Sequence, residues 1–423
     1  MEPTKRYKIS PGTYIIKFRR ESLIYNKKNY NALKLSKKAN NLLKKIIRGN
    51  FDINSDPDFN KLILALKSKG LIEDTVATTK SGKKSLCFIE NKTDPHLNRI
   101  MIEITNGCNL RCKHCYVLAR KYKPQILSYE ILNKIITEIE KIGVWQLDLT
   151  GGEIASHPEI LKILDRVQDT HLLVNLFSNL SIDNQKFLDA VVASKPKLVI
   201  TSIDGNNAAI HDSFRGVSGA FDRTVKNIRY LQGKGVPVRV NVSLSKNNYK
   251  NLKDIVAFIK KEIKAPFIIG DIQCTDPATK DVLISREKVI ESIIKYQSDI
   301  YIDRKKEEID DSKKIHPACG VGYDFCFINS SGEVSLCPTL TKEESKDFYA
   351  GSILTDSLFN IWEKSEAFKK YFGSQCYKID DCKYGKYCKG GCRSRAYLEN
   401  NNIDDIDPVN CSVIKKLYGK AKN

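Results

Sequence analysis

Apolar positions recur along this chain in three successive rhythms. Over residues 14–18, 22–25 and 32–35 they form short runs rich in Ile, Leu, Tyr and Phe, with Asn26-Lys-Lys-Asn29 as a turn, and these runs predict three strands. The spacing then lengthens to three and four. Ser36 can cap a helix in which Ala39, Leu42, Leu43 and Ile46 recur until Gly49, and Asp58 can cap a second, through Leu62, Leu64 and Leu66, that stops at Gly70. Three strands and two helices, closed by Gly70-Leu-Ile-Glu73, predict a winged-helix-like α+β module over residues 1–95.

From residue 98 the pattern alternates strand and helix. Strands are expected at 100–105, 144–150, 172–178, 197–203, 237–244 and 266–273, and helices at 128–142, 158–168, 184–194, 219–233 and 250–263. A helix between successive strands calls for a parallel sheet with right-handed crossovers. Six units make an α/β partial barrel of the TIM type, (β/α)6, and chemistry in such folds sits at the C-terminal ends of the strands. With the Lys- and Asp-rich linker Tyr301 to Lys314, this second region is assigned to 98–310. The third, 312–423, is rich in cysteine and poor in regular pattern, as a metal-stapled lobe would be.

Composition narrows the class. A chain of 423 residues has length for two or three domains. Its polar first ten residues and strand-sized apolar runs predict neither a signal peptide nor a membrane span, so a cytoplasmic location and no membrane partner are expected. In a reducing compartment its 13 cysteines are not expected to form a disulfide framework, and those bunched at 108–115 and 319–411 are expected to bind metal. The net charge is +20, and residues 1–97 carry 21 Lys and Arg against 9 Asp and Glu. That front suits an acidic partner, either a peptide or, if it is a DNA-binding winged helix, nucleic acid.

Candidate chemistry begins directly after the first barrel strand. Cys108, Cys112 and Cys115 form a Cys-x3-Cys-x2-Cys loop, one thiolate short of a closed tetrahedral site or a fully protected four-iron cluster. Thr150-Gly151-Gly152-Glu153 follows strand 2, where the glycines permit close backbone approach and the carboxylate can accept from an ammonium. Ser178-Asn179 ends strand 3, and Ser202-Ile-Asp204 ends strand 4, with hydroxyl and carboxylate groups suited to a ribose diol. His211-Asp-Ser-Phe-Arg215-Gly supplies a guanidinium fork for a carboxylate. Asn241 is an amide inside strand 5 where an apolar residue is the norm. Asp271, Gln273 and Cys274 end strand 6 and are candidates for a substrate pocket, with a buried small apolar residue as the other reading of Cys274.

In this order, these motifs resemble the radical S-adenosylmethionine (SAM) superfamily. The resemblance implies that Cys108, Cys112 and Cys115 hold a catalytic 4Fe-4S cluster whose open iron chelates SAM, and that an electron cleaves SAM to a 5'-deoxyadenosyl radical. It places His114 beside the adenine and Gly151, Gly152 and Glu153 at the SAM amino group, and counts Tyr116 among the residues that bind SAM. It also places Ser178, Ser202 and Asp204 at the ribose, Arg215 at the carboxylate and Asn241 near the adenosine, and counts Asn179 among the residues that bind SAM.

The late cysteines Cys319, Cys337, Cys376, Cys382, Cys388, Cys392 and Cys411 resemble the SPASM domain, an auxiliary iron-sulfur lobe, although five residues separate Cys376 from Cys382 where the family pattern has two. The resemblance implies two auxiliary 4Fe-4S clusters, one on Cys319, Cys337 and Cys392, the other on Cys376, Cys382, Cys388 and Cys411. A hairpin with the two-residue turn Ser331-Gly332 would set Cys326 opposite Cys337 and make it the eighth ligand, and a three-residue loop would break that register. Structural zinc is the alternative for these spacings.

The front module resembles the PqqD-like leader-peptide recognition domain of peptide-modifying enzymes. Together these resemblances imply a peptide maturase that acts on a ribosomally made precursor, with its leader on residues 1–95 and a low-potential donor such as flavodoxin or ferredoxin. Nucleic acid is then not the expected partner. The expected product is a thioether of the sactipeptide or ranthipeptide type. A carbon-carbon cross-link, an anaerobic sulfatase maturase and a DNA-binding iron-sulfur regulator are the alternatives.

Overall fold

The runs Ile15-Ile16 and Leu23-Ile24-Tyr25 have no polar side because both faces of their strands are covered. In the computed structural model, which describes residues 6–19, 21–48, 57–75, 88–115, 123–273, 277–302, 319–342 and 346–419, the front consists of β1 (Arg6–Ile9), β2 (Thr13–Lys17), β3 (Glu21–Asn26), β4 (Ala32–Ser36), α1 (Lys37–Arg48), α2 (Pro57–Ser68), β5 (Ile72–Thr75) and β6 (Phe88–Glu90). β1 pairs with β5, and the other four strands form a sheet in the order β4-β3-β2-β6. One face, with Ile15, Ile24 and Leu35, packs on Leu42, Leu43, Ile46, Leu62 and Leu66 of α1 and α2. Ser36 caps α1 as expected, accepting from Ala39 N. Asp58 instead lies inside the first turn of α2 and pairs with Lys38. Leu64 is 68% exposed, because positions two apart on a helix do not share a face; Phe59, Leu62, Ile63 and Leu66 form the buried stripe.

The other face of the sheet, Ile16, Leu23 and Tyr25, packs on Leu173 and Trp145 at the start of the barrel strands. Polar contacts pin this docking. Tyr25 Oη donates to His171 O at 2.7 Å and Tyr30 Oη to Pro196 O at 2.9 Å. Lys27 Nζ reaches Val167 O (3.3 Å), Gln168 O (2.7 Å) and Thr170 O (2.5 Å), an ammonium set against the carbonyls at the C-terminal end of a helix, where positive charge is favoured.

The barrel follows the expected alternation: β7 (Arg99–Thr105), α3 (Tyr129–Ile142), β8 (Gln146–Gly151), α4 (Ile160–Gln168), β9 (Leu173–Phe177), α5 (Gln185–Ser194), β10 (Leu198–Ser202), α6 (Ala208–Arg215), α7 (Ala220–Gly233), β11 (Val238–Leu244), α8 (Leu252–Phe258) and β12 (Phe267–Asp271). All six strands pair in parallel and in chain order. The alternation along each strand separates two environments. Ile100, Ile102, Leu147, Leu149, Val240 and Val242 face the helices in one apolar core, whereas polar residues such as Asp148, Thr150, Asn175, Ser202 and Asn241 occupy the alternate positions. Helix α6, which the apolar rhythm did not predict, is capped by Asn207 and ends at Gly216 in a left-handed conformation (φ 76°).

After α9 (Arg286–Ile302) come β13 (Phe325–Ile328), β14 (Glu333–Ser335), β15 (Tyr349–Ser352), α10 (Leu358–Lys364), α11 (Glu366–Tyr371), α12 (Gly385–Cys388), α13 (Arg393–Asn400) and α14 (Pro408–Gly419). β13 adds in parallel to β7, so the lobe prolongs the barrel sheet to nine strands. One continuous core runs from Leu97 to Val413. The hairpin register corrects the expectation for Cys326. Phe327 pairs with Ser335, Ile328 with Val334, and Asn329 N bonds Glu333 O, so the loop holds three residues, Ser330 to Gly332. That loop length moves the pairing by one residue and puts Cys326 out of step with Cys337. Cys326 is instead fully buried in the apolar core.

Lys27→Met should cost about 1.5–3 kcal/mol, the range for hydrogen bonds made by a charged group. Faster amide hydrogen exchange confined to β2, β3 and the end of α4 would report this loss, with α7 unchanged.

Candidate active site and auxiliary cysteine groups

The cysteine loop is held on two sides by backbone. On one side Gly152 N donates to Thr105 O (2.7 Å) and Glu153 N to Gly107 O (2.8 Å). On the other, Arg111 N donates to Arg215 O (3.0 Å) and Lys113 N to Phe214 O (3.2 Å). The approach excludes side chains: a Cβ on Gly152 would stand 2.4 Å from Gly107 O and one on Gly151 2.4 Å from Thr105 O. The Gly-Gly pair therefore seats the cysteine loop.

Three donors point at its sulfurs. Leu110 N lies 3.4 Å from Cys108 Sγ, Asn179 Nδ2 3.7 Å from the same atom, and Arg215 Nη1 3.7 Å from Cys112 Sγ. Burial pushes the Cys108 thiol up to about 12, with the neighbouring Glu153, Cys112 and Cys115 adding to the shift, so the three cysteines and Glu153 share one compartment. The side chain of Cys112 is buried, and those of Cys108 and Cys115 are half-buried.

Glu153 is wholly buried, and burial raises its carboxyl pKa against hydrogen bonds from Ala155 N, Ser178 Oγ and Asn179 N. Oε1 takes Ala155 N (3.0 Å) and Ser178 Oγ (2.7 Å), whereas Oε2 takes only Asn179 N (2.6 Å) and keeps room for one more donor. Ser178 was expected at a ribose, but its hydroxyl donates to Glu153 and accepts from Leu180 N, so it orients the carboxylate. Asp204 corrects the sequence reading in the same way. It is fully buried and takes Arg215 Nε at 2.6 Å and Ser243 N at 2.7 Å, which makes it the group that aims Arg215. Burial raises the Asp204 pKa, and the guanidinium opposes that shift.

His114 stacks on Phe214 with ring centroids 4.4 Å apart, and burial lowers its pKa well below the usual value, keeping it neutral. Asn241 lies beside Ser202 across β10 and β11. Asn241 Oδ1 and His114 Nδ1 are buried without a partner among the described residues. Two orphaned polar atoms, a carboxylate with a spare acceptor position and a buried guanidinium fit an adenosine bearing ammonium and carboxylate groups. Tyr116 lies outside the described residues.

The lobe gathers its cysteines into two sets. Cys376, Cys382, Cys388 and Cys411 line one cavity with Lys378, Ile379, Asp407 and Lys415. Burial and then the Cys319 and Cys392 thiols push Cys337 up to about 12, and burial followed by Cys392 raises Cys319, so these three form the second set. Burial alone raises Cys326, which belongs to neither set. Among the described residues, no three Cys, His, Asp or Glu are spaced to share a single metal ion. Zinc would need sulfurs about 3.8 Å apart, from its Zn–S bond length.

The candidates at the end of β12 also turn toward the lobe. Asp271 takes Arg395 Nη2 at 2.6 Å and Nε at 2.8 Å, and Gln273 bonds to Cys392 and Ser394. The sequence reading made these two residues part of a substrate pocket and missed Asp407 and Arg395, the latter signalled by the Arg393-Ser-Arg395 run directly after the candidate ligand Cys392. Cys274 lies outside the described residues.

Residues 102–259 match the radical SAM superfamily, and residues 319–393 match an iron-sulfur cluster-binding domain, SPASM. The chain carries a radical SAM domain followed by a SPASM domain. Its cofactors are SAM and 4Fe-4S clusters. It is 29% identical to the subtilosin biosynthesis protein AlbA of Bacillus subtilis, over 74% of this chain and 70% of that one. It is 28% identical to AdoMet-dependent heme synthase of Methanosarcina barkeri, over 72% of this chain and 94% of that one. In fold it is similar to Streptococcus suis SuiB, solved with precursor peptide SuiA: TM-score 0.68 at 16% identity, covering 96% of this chain and 99% of that one. Among the described residues no helix is long and apolar enough to cross a membrane.

Gly152→Ala should force the cysteine loop off the Gly-Gly-Glu turn. Iron per chain is then expected to fall by about four, one cubane, with the auxiliary iron retained.

Proposed function

We propose that this radical SAM/SPASM enzyme matures a ribosomally made peptide and links a peptide cysteine sulfur to a carbon of another residue. In this reading Cys108, Cys112 and Cys115 hold the catalytic cluster. Glu153 receives the SAM ammonium, Arg215 the carboxylate, and Ser202, Asn241 and His114 line the adenosine. When bound, cluster and SAM supply a 5'-deoxyadenosyl radical that removes a hydrogen atom from substrate. The protein's part is to fix these groups before SAM arrives, since each is carried by a barrel strand, by the loop that follows one, or by α6.

The observation that carries the thioether reading is the count of auxiliary cysteines. Cys376, Cys382, Cys388 and Cys411 suffice for one cluster, whereas Cys319, Cys337 and Cys392, once Cys326 is withdrawn to the apolar core, leave one ligand position of the other unfilled by cysteine among the described residues. A substrate thiolate has the chemistry to fill that position. Residues 1–95 are assigned, as a PqqD-like module, to the leader of the precursor. In support, the likeness to SuiB extends across the front module as well as the barrel and lobe. Similarity to heme synthases favours a tetrapyrrole substrate as the second reading. The excess of Lys and Arg in residues 1–97 suits an acidic leader peptide.

Forming a C–S bond from C–H and S–H removes two hydrogens from the peptide, one as an atom taken by the deoxyadenosyl radical and the other as a proton and an electron, for which an auxiliary cluster would be the acceptor. With reconstituted enzyme, SAM, dithionite and a cysteine-containing precursor, the expected outcome is 5'-deoxyadenosine and a peptide lighter by two hydrogens that resists thiol alkylation. A product that is still alkylated would favour a carbon-carbon link, and turnover of a porphyrin precursor alone would favour the heme reading. The iron count expected is about twelve per chain.

A further inference from the structure

Gln273 stands at the end of the last barrel strand, yet both ends of its amide are committed to the lobe. Nε2 lies 3.4 Å from Cys392 Sγ, and Oε1 accepts from Ser394 Oγ at 2.9 Å. Ser394 Oγ is itself 3.1 Å from Cys392 Sγ, closing a triangle. A thiolate bound to metal can only accept, and a serine hydroxyl has one proton to give. With that proton on Oε1, the amide presents its N–H to sulfur; with the amide flipped, its N–H would donate to the serine oxygen and the hydroxyl to sulfur, while its own oxygen would face the thiolate.

The strand end is also clamped to the same segment. Arg395 bonds Asp271 through Nε (2.8 Å) and Nη2 (2.6 Å), and Asp407 through Nη1 (2.9 and 2.8 Å), while Asp407 accepts from Cys392 N at 2.7 Å. Arg395 and Asp407 thereby tie the residue two before Gln273 to the backbone of the cysteine that Gln273 addresses.

We infer that Gln273 is a positioning residue that raises the reduction potential of the auxiliary cluster on Cys319, Cys337 and Cys392 by donating a hydrogen bond to the Cys392 sulfur. This rests on the reading above that those three thiolates hold a cluster. Reduction adds negative charge to the cluster and its sulfurs, and a fixed N–H dipole aimed at one sulfur stabilises the reduced form more than the oxidised one. Ser394 acts through the amide, by keeping its N–H on the sulfur. The barrel strand and the cluster are thus linked, since a displacement of the β12 end changes the donor distance.

The test uses the full chain with Ala at Cys108, Cys112 and Cys115, so that only auxiliary clusters report, and follows their midpoints by EPR-monitored redox titration. The parent should hold about eight irons. Gln273→Leu should move one of the two midpoints to more negative potential and leave the other in place. Gln273→Glu should move the same midpoint further, and Ser394→Ala should move it less than Gln273→Leu in the same direction. If Gln273→Leu sheds iron, Ser394→Ala still decides the matter. Unchanged midpoints with iron retained, or an equal shift of both, would overturn the inference. A parent with only about four irons would instead remove the cluster reading on which it stands.

Discussion

A carbonyl oxygen 2.4 Å from where a Cβ would be leaves no choice of residue. That constraint, at Gly152 against Gly107 O and at Gly151 against Thr105 O, lets the cysteine loop lie on the turn after β8, and the rest of the site follows from it. With the loop seated, Glu153 is held by Ser178 and Asn179 from β9, and α6 closes the other flank through Arg215 O and Phe214 O. Arg215, aimed by Asp204, reaches Cys112 from the same helix. Burying that ion pair is expensive, and removing one partner would leave an uncompensated charge costing about 3–5 kcal/mol. The pair sets a guanidinium beside the cysteine loop in one orientation.

The lobe is a continuation of the barrel sheet, joined through β13 on β7 and through the Arg395 clamp on Asp271. Both contacts are rigid elements, so the auxiliary cysteine sets are placed relative to the barrel by strand pairing and a bidentate ion pair rather than by a linker. The front module is fixed in the same manner, by a sheet whose second face is spent on the barrel.

Much of this was legible in the chain. The six barrel strands came within two residues of the observed bounds because an apolar residue at every second position, facing the helices, marks each of them. The cysteine groups were legible because ligands must be local or repeated. What the sequence hid was partnership. Ser178 and Asp204 are polar residues at strand ends, the expected signature of ligand contact, yet each is satisfied by another side chain of the site. Whether a hydroxyl faces ligand or protein is set by neighbours brought from other strands. The register at Cys326 turned on whether a loop held two residues or three, and Asn329, bonding Glu333 across the hairpin, decided for three. The continuous runs at Ile15-Ile16 and Leu23-Tyr25 did carry a signal that went unused, since strands with no polar face announce a second packing partner.

The central claim is that the three-cysteine loop presents one position to SAM. Hyperfine spectroscopy on the reduced chain, with the seven auxiliary cysteines changed to Ala and SAM labelled at its amino nitrogen and carboxylate oxygen, addresses it most directly. The account predicts coupling of both labelled atoms to the cluster, weakened by Glu153→Gln. A cluster signal that forms but shows no coupling to either label would contradict it.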